Sequence, residues 1–177
     1  MGTNMSFLEN IDYQPVVDCL TKLGKQLDKP SYRFLKGEVV ALALEKVTSG
    51  RLKYVDEEGY DSIDLDTGKK YEFKSTANMF SSSFDKITGR VSISNTNKDT
   101  FSQTFDYLLC VQSSPAKFAI AQLSWDECNK NYNKVKNGQF NLNYGLPVTH
   151  WICKNSTNLN KCNPVKLDVR KLLASVL

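Results

Sequence analysis

The stretch Asp61-Ser62-Ile63-Asp64-Leu65-Asp66-Thr67-Gly68-Lys69-Lys70-Tyr71-Glu72-Phe73-Lys74-Ser75 decides how this chain is read. It holds two short runs with strand character, separated by a turn around Asp66-Thr67-Gly68, where glycine adopts positive φ at no steric cost. A β-hairpin is expected. Side chains alternate along a strand, so Glu72 and Lys74 share one face while Tyr71 and Phe73 take the other and can enter a core. With the turn centred on Thr67-Gly68, Asp61 is expected across from Lys74 and diagonal to Glu72, on the same face. Two carboxylates and one ammonium then meet at one end of the hairpin.

Carboxylates held close together on rigid backbone repel, and both stay ionised only when a cation sits between them. Oxygen-only ligands favour a hard ion, so Mg2+ is the expected cofactor. A divalent ion there polarises a phosphate and activates water, while an adjacent lysine orients that water and offsets developing negative charge. The chemistry expected is metal-assisted hydrolysis of a phosphodiester. The plain alternative is a solvated hairpin carrying ordinary surface charges.

Asp61, followed eleven residues later by Glu72-Phe73-Lys74, resembles the catalytic signature of the PD-(D/E)xK nucleases. The flanking Glu58-Gly59-Tyr60-Asp61 and Tyr71-Glu72-Phe73-Lys74-Ser75 are similar to the small homodimeric type II restriction endonucleases of the Pvu type. The resemblance implies that Asp61, Glu72 and Lys74 are catalytic, with Asp61 and Glu72 as metal ligands and Glu58 behind them. Tyr60 stands where the name of the signature has proline. The implied function is Mg2+-dependent cleavage of double-stranded DNA at a short palindrome by a homodimer. A repair nuclease or junction resolvase with the same chemistry is one alternative, and a non-catalytic DNA-binding protein on the same scaffold is another.

At 177 residues the chain suits one domain able to bury a core without staples. Its 41% hydrophobic and 24% charged residues argue against disordered and fibrous classes. A net charge of +4 is compatible with a polyanionic partner. The five cysteines, Cys19, Cys110, Cys128, Cys153 and Cys162, are scattered and read as buried thiols of a reducing cytoplasm. Grouping Cys128, His150, Cys153 and Cys162 as a zinc site fits no common ligand spacing. No apolar run is long enough to span a membrane.

Around the hairpin, helical periodicity covers Pro15 to Leu27, with Val16, Val17, Leu20, Leu23 and Leu27 on one stripe that faces either a second subunit or the chain's own core. A second helix, capped by Ser31 and ended by Ser49-Gly50, carries the apolar run 39–44 and reads as buried. Glu38, near its start, is either a further metal ligand or a glutamate favoured by the helix dipole. Residues 75–83 read as a polar loop. In Arg90-Val91-Ser92-Ile93-Ser94-Asn95-Thr96-Asn97-Lys98, apolar residues alternate with hydroxyls and amides before a bare polar run. Amides and hydroxyls can read base edges, so Arg90, Ser92, Ser94, Asn95, Thr96, Asn97 and Lys98 are candidate DNA contacts, the alternative being a surface turn. The resembled enzymes carry histidines there and this chain has none, which implies a different target sequence.

Two runs, 107–112 and 117–123, flank a turn at Ser113-Ser114-Pro115 and read as neighbouring core strands. Ser124-Trp125-Asp126-Glu127 is a capping box, and a helix is expected from it through Cys128, Tyr132 and Val135 to a stop at Asn137-Gly138. Lys130, Lys134 and Lys136 on it suit either phosphates or solvent. A strand at 148–153 contains the single histidine, His150, read as structural. Asn163-Pro164 opens a closing helix. The fold expected is α/β, a single domain over residues 1–177 with a mixed central sheet flanked by helices, the restriction-endonuclease-like fold of the resembled family.

Overall fold

The computed structural model describes residues 6–18, 39–76, 78–94, 102–114, 117–135, 139–143 and 145–154. The expected apolar stripe beyond residue 18, the Ser31 cap, Glu38, the polar run 95–98 and the closing helix lie outside these residues.

The protein is a mixed α/β structure built on a six-stranded sheet. In chain order its strands are β1 (Leu52–Glu57), β2 (Tyr60–Asp64), β3 (Lys70–Thr76), β6 (Tyr107–Ser114), β7 (Lys117–Ser124) and β11 (Trp151–Lys154), and they are hydrogen-bonded neighbours in that order. The pair β3 and β6 is parallel, and every other neighbouring pair is antiparallel. Two short strands, β4 (Lys86–Ile87) and β10 (Leu146–Pro147), pair with each other, while β5 (Ser92–Ser94), β9 (Gln139–Leu142) and β8 (Tyr132–Val135) form a three-stranded sheet in that spatial order. Helical residues 14–18 (α1) and 39–47 (α2) precede the sheet, and α3 (Trp125–Asn131) follows β7. Among the described residues no helix is long and apolar enough to cross a membrane.

Alternation along β3, β6 and β7 divides the core in two. On one face Tyr71, Phe73, Leu109, Val111, Phe118 and Ile120 pack beneath Leu8, Tyr13, Val16, Val17 and the apolar side of α2. The described part of the N-terminal stripe thus covers the chain's own core. On the other face Leu108, Cys110, Ala119, Ala121 and Leu123 meet Met79, Phe80, Phe105, Cys128 and Leu142. Burying one such aliphatic or aromatic side chain is worth about 1.5–3 kcal/mol, so each layer holds the sheet from its own side. Cys128 and Cys153 fall in different layers, and Cys110, Cys128 and Cys153 are all buried.

The helix after Ser124 and the stretch 75–83 differ from expectation. The helix opened by Ser124 does have its capping box, with Ser124 and Glu127 bonded reciprocally, but it ends at Asn131 rather than running to Val135. The Asn131 side chain donates to the Glu127 carbonyl, and Tyr132–Val135 then pairs with Gln139–Leu142 as β8 with β9. In sequence, Asn-Gly between two strand-like runs is a hairpin signal as well as a helix stop. The stretch 75–83 is also less loop-like than its small polar residues suggest. β3 continues to Thr76, and the buried Gln112 accepts the N–H groups of Met79 at 3.1 Å and Phe80 at 2.8 Å. Those two apolar side chains, buried, override the polar local composition.

The strand that precedes the hairpin, β1, carries no strong pattern in sequence, yet it pairs with β2 along most of its length. The turn joining them needs Gly59, whose φ is +95° and whose missing Cβ would lie 2.7 Å from Thr104 Cβ. Gly59→Ala meets both backbone strain and a collision just ahead of Asp61. It is expected to cost about 1–3 kcal/mol, read as a lowered denaturant midpoint. Adding Thr104→Gly should recover the steric part alone.

Candidate active site

The hairpin forms as expected, with Gly68 at φ +71° in its turn, but its register differs. Ser62 pairs with Tyr71 and Ile63 with Lys70, which centres the turn on Asp66-Thr67 and sets Asp61 level with Glu72 rather than Lys74. The turn is organised by Asp64, whose backbone N–H bonds Lys69 O at 2.9 Å while its carbonyl accepts Gly68 N–H at 2.7 Å. Its carboxylate accepts from Asp66 N–H at 3.0 Å, from Thr67 Oγ1 at 2.7 Å and from the Arg51 guanidinium at 2.9 and 3.0 Å. Burial works against this charge, but the bonds from Arg51, Thr67 and Asp66 together hold the Asp64 carboxyl below the ordinary carboxylate range. A sequence reading that follows turn residues alone does not see Arg51 closing the hairpin from before β1.

The shifted register brings the carboxylates closer than the expected one. Asp61 Oδ2 accepts the Phe73 N–H at 2.7 Å, so it occupies a backbone bonding position beside β3. The register sets Asp61 opposite Glu72, and Lys74 Nζ bonds Glu72 Oε1. All three groups meet on one side of the β2–β3 hairpin. Glu72 is the most enclosed, at 8% exposure, and Lys74 and Asp61 are half-buried. Burial pushes the Glu72 carboxyl above the ordinary glutamate range; attraction to Lys74 opposes this, and repulsion from Asp61 adds to it.

The pair Asp61 and Glu72 offers oxygen ligands only, and its enclosed second negative charge is the one a hard divalent cation would offset. Among the described residues, no three of His, Cys, Asp and Glu come together as a metal-ligand group. Glu58 is exposed on the β1–β2 turn, three residues ahead of Asp61. Two carboxylates suffice for Mg2+, which ordinarily completes its shell with water and substrate phosphate oxygens.

The candidate DNA contacts divide. Val91 and Ile93 are buried, and Ser92 lies between them in β5. Its hydroxyl donates to Asn141 Oδ1 at 2.5 Å, which the exposed Arg90 also approaches at 3.5 Å. Register sets Ser92, Asn141 and the exposed Asn133 in one row across the three-stranded sheet. Asn133 and Asn141 were missed in sequence; the two runs around Asn137-Gly138 are the hairpin signal that points to them. Of the lysines assigned to the helix after Ser124, Lys130 is exposed in its last turn, whereas Lys134 belongs to β8. Ser102 and Gln103 are exposed ahead of β6, the Gln103 amide donating to Phe105 O at 3.3 Å. His150 lies just ahead of β11 rather than within a strand over 148–153, and its Nε2 is 3.1 Å from Glu9 Oε1 of the 3-10 helix Phe7–Asn10. Compared with known proteins, the chain matches no family model and no curated protein.

Proposed function

We propose that this protein is a type II restriction endonuclease on a PD-(D/E)xK scaffold, a Mg2+-dependent enzyme that hydrolyses one phosphodiester per strand at a short DNA palindrome. The observation that carries the reading is the meeting of Asp61, Glu72 and Lys74 on one side of the β2–β3 hairpin. Asp61 and Glu72 are the residues to hold the ion, which when bound would polarise the phosphate and ease ionisation of water. Asp61 is fixed for this by the Phe73 N–H, so its carboxylate needs no reordering on loading. Lys74 brings one positive charge and three donors to the attacked phosphate, where charge develops. The row of Ser92, Asn141 and Asn133 supplies uncharged hydroxyl and amide groups of the kind that distinguish base edges. A two-fold homodimer is the arrangement in which one site per chain cuts both strands of a palindrome.

Digestion of sequenced plasmid DNA with Mg2+ tests this reading. Discrete fragments whose mapped ends share one sequence are expected. Selective cutting of branched or damaged DNA would replace restriction by repair or junction resolution, and no cleavage with Mg2+ or Mn2+ would leave a DNA-binding protein without catalysis.

A further inference from the structure

We propose that Lys70 is a second phosphate-binding residue of this site, gripping a DNA backbone phosphate beside the one under attack; the inference rests on the nuclease reading above. Lys70, Glu72 and Lys74 follow one another at every second position of β3 and so share the face that carries the carboxylate pair. Successive same-face positions are about 6.6–6.8 Å apart along a strand. Lys70 stands one such step from Glu72, a spacing close to that of neighbouring phosphates on one DNA strand, and two steps, about 13 Å, from Lys74, so the two lysines can meet different phosphates while flanking Glu72.

The partners of the lysines around the hairpin separate Lys70 from the rest. Lys53 is tied to Glu45 at 2.6 Å, Lys69 to Asp106 at 2.9 Å, and Lys74 to Glu72. The Lys70 ammonium instead lies 4.6 Å from the centroid of the Tyr60 ring. Among the described residues it has no carboxylate within ion-pair distance. An aromatic face holds a cation in place without cancelling its charge, which a carboxylate would do. Tyr60 directly precedes Asp61, so the ring holds this charge at the β2 end that carries the metal-ligand candidate. The placement is that of a positioned cation, without a carboxylate partner among the described residues, that can receive an anion, and within the nuclease reading the anion is backbone phosphate.

The test is the salt dependence of DNA binding with Ca2+ in place of Mg2+, so that binding is read without cleavage. Each phosphate neutralised by a lysine adds about 0.9 to the slope of log affinity against log salt. Lys70→Ala should make that slope shallower by about one across unrelated DNA sequences, and Lys70→Arg should restore it. Lys53→Ala, which removes a charge already paired with Glu45, should leave the slope unchanged. A wild type that binds DNA while Lys70→Ala keeps its slope, or while Lys53→Ala moves it as far, overturns the role of Lys70 alone. A wild type with no DNA affinity overturns the nuclease reading, and this inference with it.

Discussion

Replacing Glu72 with alanine is expected to lower Mg2+-dependent cleavage about a thousandfold, the rate equivalent of losing several kcal/mol of metal-supplied charge stabilisation. In the proposed site Glu72 would supply one of the two oxygen ligands, and it anchors Lys74, so the variant would lose a ligand and free the lysine together. The measurement is single-turnover cleavage of a plasmid at saturating Mg2+ and protein. Stability should move the other way. The metal-free protein bears an enclosed carboxyl whose ionisation burial disfavours, and removing it relieves that cost near neutral pH. Thermal unfolding then separates the two roles: wild type should gain stability with Mg2+, while Glu72→Ala should start higher and respond little. Cleavage that persists in Glu72→Ala would refute the assignment of this residue.

Asp64→Ala is expected to be the most destabilising single change within the hairpin. Asp64 is 1% exposed and accepts bonds from Arg51, Thr67 and Asp66. Its loss strands donors that the turn has gathered, although Arg51, whose side chain is 32% exposed, can still reach water and Asp66. Breaking a fully buried pair costs about 3–5 kcal/mol, and the exposure of Arg51 puts this case near the lower end. Thermal unfolding should fall by roughly 6–12 °C for a chain of this size. The pH dependence has a definite sign. Because the folded carboxyl is held below its ordinary value, the stabilisation is present above that value and disappears as pH falls through the lowered one. Asp64→Asn should flatten this acid limb of the stability curve. An unchanged limb would mean that the Arg51 contact contributes nothing to folding.

The sequence by itself determined the hairpin, its glycine turn, the capping box at Ser124, the paired strands β6 and β7, and the sharing of one face by Glu72 and Lys74. Each rests on local chemistry: alternation, positive φ, or a side chain bonding backbone within three residues. Only tertiary structure decided the register that sets Asp61 level with Glu72, because Arg51 and Asp64 place the turn through a contact thirteen positions apart. It likewise decided that Tyr132–Val135 is a strand, since its partner β9 supplies the hydrogen bonds that a continued helix would have made internally. Burial of Glu72, the seating of the Lys70 ammonium over the Tyr60 ring, and the alignment of Asn133 and Asn141 with Ser92 depend on which strands become neighbours, and no residue pattern within one segment carries that information.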